Sequence, residues 1–190
     1  SALEEIKKSG KIRYIGLSNF PKKDIEKFMI LIEVNVIQAL YNMLERNTNK
    51  YHNIPLNYET ENEILPLAKK NGQAFLPYSP LFQGLLTGKF TKGKNFSEKD
   101  IRSENPKLAG DQFNTYYNGA LALVEFANSI GRPLNEIAFN WLRQRDEVTS
   151  IIGGASNLAQ LEGNIHSTTW NLTEDELDQI NGIIEPFKNM

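Results

Sequence analysis

Polar side chains that could bind a ligand recur where the predicted strands of this sequence end. They are Ser18 and Asn19 after the first strand, Gln38 in the second, Tyr78 and Ser79 after the third, and Ser156, in the run Gly154-Ala155-Ser156, after the fourth. Amide side chains can recognise a polar ligand because each offers both a donor and an acceptor of hydrogen bonds. The carboxyl ends of parallel strands lie on one side of a sheet, so these residues are predicted to converge on one site.

The segment IIGGASNLAQLEGN, residues 151–164, places two glycines before a predicted helix. A tight turn is the simpler interpretation. The alternative is an anion site, because glycine lets a ligand approach the backbone and the first N–H groups of a helix are free to bind phosphate. The segment alone leaves both interpretations open.

Alternating strand and helix patterns supply the elements that would position these residues. Strands are predicted at 11–18, 34–40, 73–80 and 148–153. Helices are predicted at 22–32, 59–72, 113–131, 133–146, 157–167 and 173–185, the last with a capping-box pattern at Thr173 and Glu176. This alternation predicts an α/β fold with parallel strands, while 41–57 and 81–111 are predicted as long loops. No G-x-G-x-x-G motif indicates a doubly wound dinucleotide fold.

Composition narrows the class of protein. Of 190 residues, 40% are hydrophobic and 23% charged, which is typical of a soluble globular protein, and the net charge of −2 predicts neither nucleic acid nor a membrane as a partner. The absence of cysteine excludes disulfides, thiolate metal sites and thiol catalysis. His52 and His166 are isolated, so no metal site is predicted. Without an apolar span or a signal-peptide pattern, the chain is predicted to be cytoplasmic.

A resemblance to a known family rests on five segments. This chain resembles the aldo-keto reductase family in five segments that follow one another in the family's order and spacing. They are GKIRYIGLSNF, VIQALYNMLER, YSPLFQGLLTGKF, DIRSENPKL and SIIGGASNLAQLEGN. The resemblance covers essentially the whole chain. It implies a TIM (β/α)8 barrel that binds NADPH, less often NADH, and that reduces aldehydes or ketones to alcohols.

The resemblance also implies roles for individual residues, all of them in cofactor binding. Ser18, Asn19 and Gln38 would hydrogen-bond the nicotinamide carboxamide, and the ring of Tyr78 would stack on the nicotinamide. The pyrophosphate would lie along Ser79, Leu81, Gly84 and the rest of GLLTGK, with Lys89 as a candidate phosphate contact. The adenosine end would be held by Gly154, Ser156, Gln160 and Asn164.

Each of these residues also has a purely structural interpretation. Ser18 and Asn19 are good N-cap residues for the helix that starts near Pro21. Gln38 could simply end its strand, Tyr78 could pack rather than stack, and Lys89 could be solvated in a loop. The functional interpretation therefore depends on all the segments occurring together in order.

The family's catalytic residues are not found in this sequence. The resemblance implies an Asp, a Tyr, a Lys and a His from the first four strands, with the Tyr as general acid, whereas this chain is predicted to begin at the helix before the fifth strand. No catalytic residue is assigned here. Residues 1–190 are predicted to form the C-terminal half of one barrel domain, about its last four βα units, and to be inactive alone.

Four strands cannot close such a barrel, so the predicted partner is a missing N-terminal half or a second chain. The sequence is expected to be part of a longer chain, a proteolytic fragment, or a natural half barrel.

The predicted function is NADPH-dependent reduction of a small-molecule carbonyl substrate. The alternatives are a non-catalytic NADP(H)-binding subunit or sensor, and a half-barrel module that dimerises. NADH is an alternative cofactor, because Ser156 and Gln160 stand where many family members carry Arg or Lys.

Overall fold

The computed structural model describes residues 2–92 and 96–190 and confirms the α/β class. The strands are β1 (Gly16–Ser18), β2 (Val36–Leu40), β3 (Lys50–Tyr51), β4 (Ile54–Pro55) and β5 (Ala74–Tyr78). The α-helices are α1 (Ala2–Lys8), α2 (Lys22–Leu31), α3 (Leu65–Asn71), α4 (Pro106–Ala109), α5 (Phe113–Ser129), α6 (Leu134–Arg143), α7 (Leu158–His166) and α8 (Glu174–Ile184). Within the described ranges, no helix is long and apolar enough to cross a membrane.

A parallel sheet of three strands, in the order β1-β2-β5, forms the centre of the fold. Its register places Ser18 opposite Gln38 and Leu40 opposite Tyr78. The carboxyl ends of all three strands therefore lie on one side of the sheet, as the sequence pattern predicts.

The predicted fourth strand, residues 148–153, is present only as two parallel bridges beside β5. Val148 pairs with Phe75 and Ile152 pairs with Tyr78. This segment has a strand neighbour on one side only, so it lacks the second row of hydrogen bonds that would keep it regular. The four segments follow one another across the sheet in chain order. Among the described residues, no strand pairs with the outer edge of β1 or of 148–152.

Three other elements differ from their predicted bounds. The first strand is predicted from residue 11 but begins at Gly16, because charged residues and an exposed Tyr14 precede the point where Ile15 starts to pair. The predicted loop 41–57 contains an antiparallel hairpin of β3 and β4. The predicted helix 59–72 begins as a π-helix at Thr60–Ile64, ahead of Pro66, which has no N–H to donate to the preceding turn.

The core lies between the sheet and the apolar faces of the last helices. The interior residues of α6 include Ile137 and Trp141, and the Trp141 ring lies 5.5 Å from that of Tyr41, just after β2. The predicted capping box of α8 is confirmed: the Thr173 side chain accepts from the Glu176 N–H, and the Glu176 side chain accepts from the Thr173 N–H. Val148 and Ile151 of the segment 148–152 pack against this core.

A buried ion pair anchors the long segment 81–111, of which residues 93–95 lie outside the described part of the chain. The Lys107 ammonium donates to Glu45 Oε1 at 2.7 Å, to Thr48 Oγ1 at 2.6 Å and to Lys50 O at 3.0 Å. Glu45 is 1% exposed and Lys107 is 2% exposed. The pair joins α4 to the segment that follows β2.

Replacement of Lys107 by methionine is expected to lower the free energy of unfolding by about 3–5 kcal/mol, because it leaves the Glu45 carboxylate buried without its cation. Adding Glu45→Gln to this variant should restore part of the loss. Urea unfolding measures both changes. Lys70→Met on the exposed face of α3 is the matched control, with an expected change within about 0.5 kcal/mol. A Lys107→Met variant as stable as this control would contradict the prediction.

Candidate functional site

Asn19 begins the site at the carboxyl end of β1. Its backbone has φ of +61°, a left-handed conformation that asparagine tolerates better than most residues, and its N–H donates to Gln38 O at 3.2 Å. The N-cap of α2 is Pro21 and has no side-chain cap bond. The N-cap interpretation of Ser18 and Asn19 is therefore wrong, and the Asn19 side chain is used elsewhere.

Two tyrosine hydroxyls converge on the Asn19 side chain. Tyr58 donates to Asn19 Oδ1 at 2.7 Å and Tyr78 donates to the same oxygen at 2.9 Å. The Tyr58 oxygen also accepts from Leu40 N at 3.4 Å. Burial raises the pKa of both phenols above its usual value, so both groups are neutral hydrogen-bond donors at physiological pH.

A cleft of about 730 Å³ opens beside these strand ends. Eight of the twelve residues predicted to bind the cofactor line it, namely Ser79, Leu81, Gly84, Lys89, Gly154, Ser156, Gln160 and Asn164. The other four, Ser18, Asn19, Gln38 and Tyr78, do not line the cleft. They lie at the strand ends, joined to it through the peptide bond between Tyr78 and Ser79. The predicted residues thus form two adjoining groups.

The backbone along one wall of the cleft is irregular and held by side chains. Ser79, Gln83 and Gly84 have φ values of +58°, +52° and +101°, which for non-glycine residues costs on the order of 1–3 kcal/mol each. Asn42 Nδ2 donates to Ser79 O at 3.1 Å, and Thr87 Oγ1 donates to Gly84 O at 2.7 Å. These bonds keep the wall in shape.

The opposite wall is the start of α7. The Asn157 side chain accepts from Gln160 N at 3.0 Å, and Gln160 Oε1 accepts from Ser156 N at 2.7 Å and from Ser156 Oγ at 3.1 Å. Asn164 Nδ2 donates to Gly154 O at 3.3 Å. Hydrogen bonds among Ser156, Asn157 and Gln160 therefore hold the first turn of α7 at this end of the cleft.

The two glycines of the IIGGASN segment serve different purposes. A Cβ on Gly153 would lie 2.6 Å from Cζ of Phe139, so glycine is required there for packing. A Cβ on Gly154 would meet no atom within 4 Å, which leaves open space beside its backbone in the cleft. Packing against Phe139 thus accounts for Gly153, whereas ligand binding at Gly154 stays a prediction.

Two cations line the cleft. Lys89 has an exposed side chain that makes no hydrogen bond or ion pair with any described residue. Arg102 donates through Nε to Asp100 Oδ1 at 2.9 Å, and its planar group stacks 4.7 Å from the Phe96 ring centroid. Arg102 is thus already paired with the Asp100 carboxylate, so the Lys89 ammonium and the N-terminus of α7 are the groups that best suit an anionic ligand.

Sequence reasoning overlooked several residues at the site. Tyr51, Tyr58 and His52 come from the predicted loop 41–57 and the residue after it, where no periodic pattern distinguishes them. The Tyr51 ring packs edge-on against Tyr78 at 5.5 Å. Burial lowers the pKa of His52, whose Nε2 lies 2.7 Å from Gln83 Nε2. Within residues 2–92 and 96–190, no group of three or more His, Asp or Glu side chains could hold a metal ion.

The buried phenols predict a loss of stability at alkaline pH. Burial raises the pKa of Tyr41, Tyr58, Tyr78 and Tyr116 above the usual value of about 10. The folded chain keeps protons that the unfolded chain releases above about pH 10, so the contribution of these phenols to the free energy of unfolding should be constant below that pH and fall above it. Denaturant unfolding and phenolate absorbance followed between about pH 8 and 12 measure this. Ionisation of these four phenols near pH 10 without unfolding would contradict it.

The glycine pair gives a second prediction. Gly153→Ala should lower the free energy of unfolding by about 1–3 kcal/mol, because the new methyl group overlaps the Phe139 ring. Gly154→Ala, one residue on, should change it by less than about 0.5 kcal/mol. Urea unfolding of the two variants measures both changes. Equal losses of stability in the two variants would contradict the prediction.

Comparison with known proteins agrees with this architecture. The Aldo/keto reductase family model matches residues 1–185. The chain is 32% identical over 184 residues to the aldo-keto reductase YhdN of Bacillus subtilis, covering 96% of this chain and 52% of that protein. It is 31% identical over 193 residues to the L-glyceraldehyde 3-phosphate reductase of Escherichia coli K12, covering 95% of this chain and 51% of that protein.

A solved structure gives the same result. The glycerol dehydrogenase AKR11B4 from Gluconobacter oxydans superposes with a TM-score of 0.82 at 28% identity, covering 99% of this chain and 54% of that one. The chain thus spans about half the length of the relatives that it matches. The match over residues 1–185 shows that this chain belongs to the aldo-keto reductase family, whose members are oxidoreductases that use NAD(P)H.

Proposed function

We propose that this chain is the nucleotide-binding half of an NADPH-dependent aldo-keto reductase that reduces a small aldehyde or ketone to an alcohol. The observation that carries the proposal is the continuity between the polar strand ends and the cationic cleft. One elongated ligand with a carboxamide at one end and phosphates at the other would use both groups of residues.

The nicotinamide end of the proposed ligand would lie at the strand ends. The Asn19 amide has its oxygen occupied by two hydroxyls, so its Nδ2–H groups are the part that a carboxamide oxygen would meet. Ser18 and Gln38 lie opposite each other in the register of β1 and β2. Tyr78 offers its ring, whose orientation is fixed by its hydroxyl bond and by the edge of Tyr51.

The phosphates and the adenosine would lie in the cleft. Its volume of about 730 Å³ is within the usual range for ligand sites, about 300–1,000 Å³. Lys89 and Arg102 supply positive charge, and the open space at Gly154 admits a ligand against the backbone. These residues fit a phosphorylated dinucleotide, and we propose NADPH as the cofactor, with NADH, which carries the same pyrophosphate, as the alternative to be measured.

The bound dinucleotide would supply the hydride. This chain's own residues would bind the dinucleotide and orient the nicotinamide, and none of them is proposed as the general acid. We propose that residues 1–190 form the last four βα units of a TIM barrel. The sequential strand order supports that arrangement, as do the outer edges of β1 and 148–152, with which no described strand pairs. The remaining strands would come from an N-terminal half or a second chain.

Calorimetric titration of the chain with NADPH and with NADH tests the binding step, and an aldehyde reduction assay on the same sample tests catalysis. Binding without turnover is the expected result for the nucleotide half. Turnover by this chain alone would overturn the assignment of catalysis to other strands. Failure to bind either dinucleotide would overturn the proposed function.

Tyr78→Ala is expected to weaken NADPH binding by about threefold to tenfold, the range for a lost aromatic contact. Binding of 2′,5′-ADP, which has no nicotinamide, should be unchanged. Tyr14→Ala, which removes an exposed ring outside the site, is the matched control. An equal loss for NADPH and 2′,5′-ADP would contradict the role of the Tyr78 ring.

A further inference from the structure

Tyr58 joins the carboxyl ends of two strands through one hydroxyl. It follows the β3–β4 hairpin and is 4% exposed. Its oxygen accepts from Leu40 N at the end of β2 and donates to Asn19 Oδ1 after β1. No motif of the sequence assigns it a function, and its position results from the hairpin within the predicted loop.

The count of protons fixes the orientation of the Asn19 amide. A phenol has one proton to donate, and Tyr58 and Tyr78 both donate theirs to Asn19 Oδ1. The two lone pairs of that oxygen are then used. Rotating the amide by half a turn would present its Nδ2–H groups to the two phenol oxygens, which would then have to accept, and each phenol proton would lose the acceptor that it has in Asn19 Oδ1. No described residue accepts a hydrogen bond from Asn19 Nδ2, which leaves its N–H groups for a ligand.

We propose that Tyr58 is a positioning residue that holds the Asn19 amide as a hydrogen-bond donor, so that the site recognises a carbonyl oxygen on the nicotinamide ring. This inference rests on the proposed function and deepens it. It makes the hairpin part of the cofactor site, although no residue of the hairpin lines the cleft. Tyr58 would influence which ligand binds by orienting Asn19, without contacting the ligand itself.

A positioning role of the Tyr58 hydroxyl and a mere packing role of the Tyr58 ring predict affinity losses for different ligands. Tyr58→Phe keeps the buried ring and removes only the hydroxyl. If the hydroxyl orients a donor, the variant should lose affinity for every dinucleotide with a ring carbonyl. A dinucleotide whose acetyl group replaces the carboxamide keeps that carbonyl but has no N–H to donate. It should therefore lose as much affinity as the carboxamide form.

The experiment titrates the chain and its Tyr58→Phe variant with NADP⁺, its 3-acetylpyridine analogue and 2′,5′-ADP. The variant should bind the first two about tenfold more weakly, and to the same degree, while 2′,5′-ADP binding stays within about twofold. Tyr116→Phe is the matched control, because Tyr116 is 1% exposed and lies outside the binding residues. It should change none of the three affinities.

Each other outcome has one meaning. Unchanged NADP⁺ binding by Tyr58→Phe would overturn the inference and leave the proposed function standing. A loss confined to the carboxamide form would show that Asn19 accepts rather than donates, which also overturns it. If the unaltered chain binds none of the three ligands, the proposed function fails and the inference fails with it.

Asn19→Asp provides a second route should Tyr58→Phe fail to fold. Aspartate tolerates the same backbone conformation and accepts from both tyrosines, but it replaces the Nδ2–H groups with an acceptor. It should weaken NADP⁺ and acetyl-analogue binding about tenfold and spare 2′,5′-ADP. Equal binding of NADP⁺ by Asn19→Asp and the unaltered chain would overturn the inference.

Discussion

The parallel register of β1, β2 and β5 is the constraint on which the site depends. Asn19 follows β1 and Tyr78 ends β5, so they lie two strands apart, a gap of roughly 10 Å between backbones. The Tyr78 side chain spans part of that gap, and its hydroxyl donates a hydrogen bond to Asn19 Oδ1. A slip of one residue in the pairing of β2 with β5 would turn the Tyr78 side chain to the other face of the sheet and break the contact.

The irregular segments around the sheet are stabilised by buried polar bonds rather than by regular structure. Ser79 holds an unfavourable backbone conformation, and its carbonyl accepts from Asn42, whose amide also donates to Glu45 Oε2 at 2.9 Å. Glu45 in turn pairs with Lys107. The desolvation of this ion pair is unfavourable by itself, so its value lies in fixing one arrangement of three chain segments. The cleft wall therefore takes its shape from charges that never reach it.

Local chemistry made much of the fold predictable. The Thr173 and Glu176 pair marks the start of α8, and Gly72, with φ of +63°, ends α3 as its sequence position indicates. The strands that pair on both sides follow their hydrophobic patterns closely. The segment 148–153 does not, because its regularity depends on a neighbour that its own residues cannot specify.

The convergence of eight of the predicted residues on one cleft could be predicted from the sequence, but the residues that support them could not. Tyr58 and Tyr51 reach the site through a hairpin whose register depends on short strands of two residues each, too short to show a period. In the sequence, nothing distinguishes Lys107 from the other lysines of the predicted loop 81–111. Its burial follows from a carboxylate 62 residues away in the chain, a relation that no local pattern encodes.

The Gln160 side chain has a consequence for what the cleft can admit. Its oxygen already accepts from the N–H and hydroxyl of Ser156, so an anion that bound these two donors in the proposed site would have to replace the Gln160 oxygen. A neutral acceptor would swap one ordinary bond for another and gain nothing. A phosphate gains, because a charged acceptor forms the stronger bond. At the Ser156 N–H of the proposed site, the Gln160 oxygen would therefore place a neutral acceptor at a disadvantage relative to a phosphate.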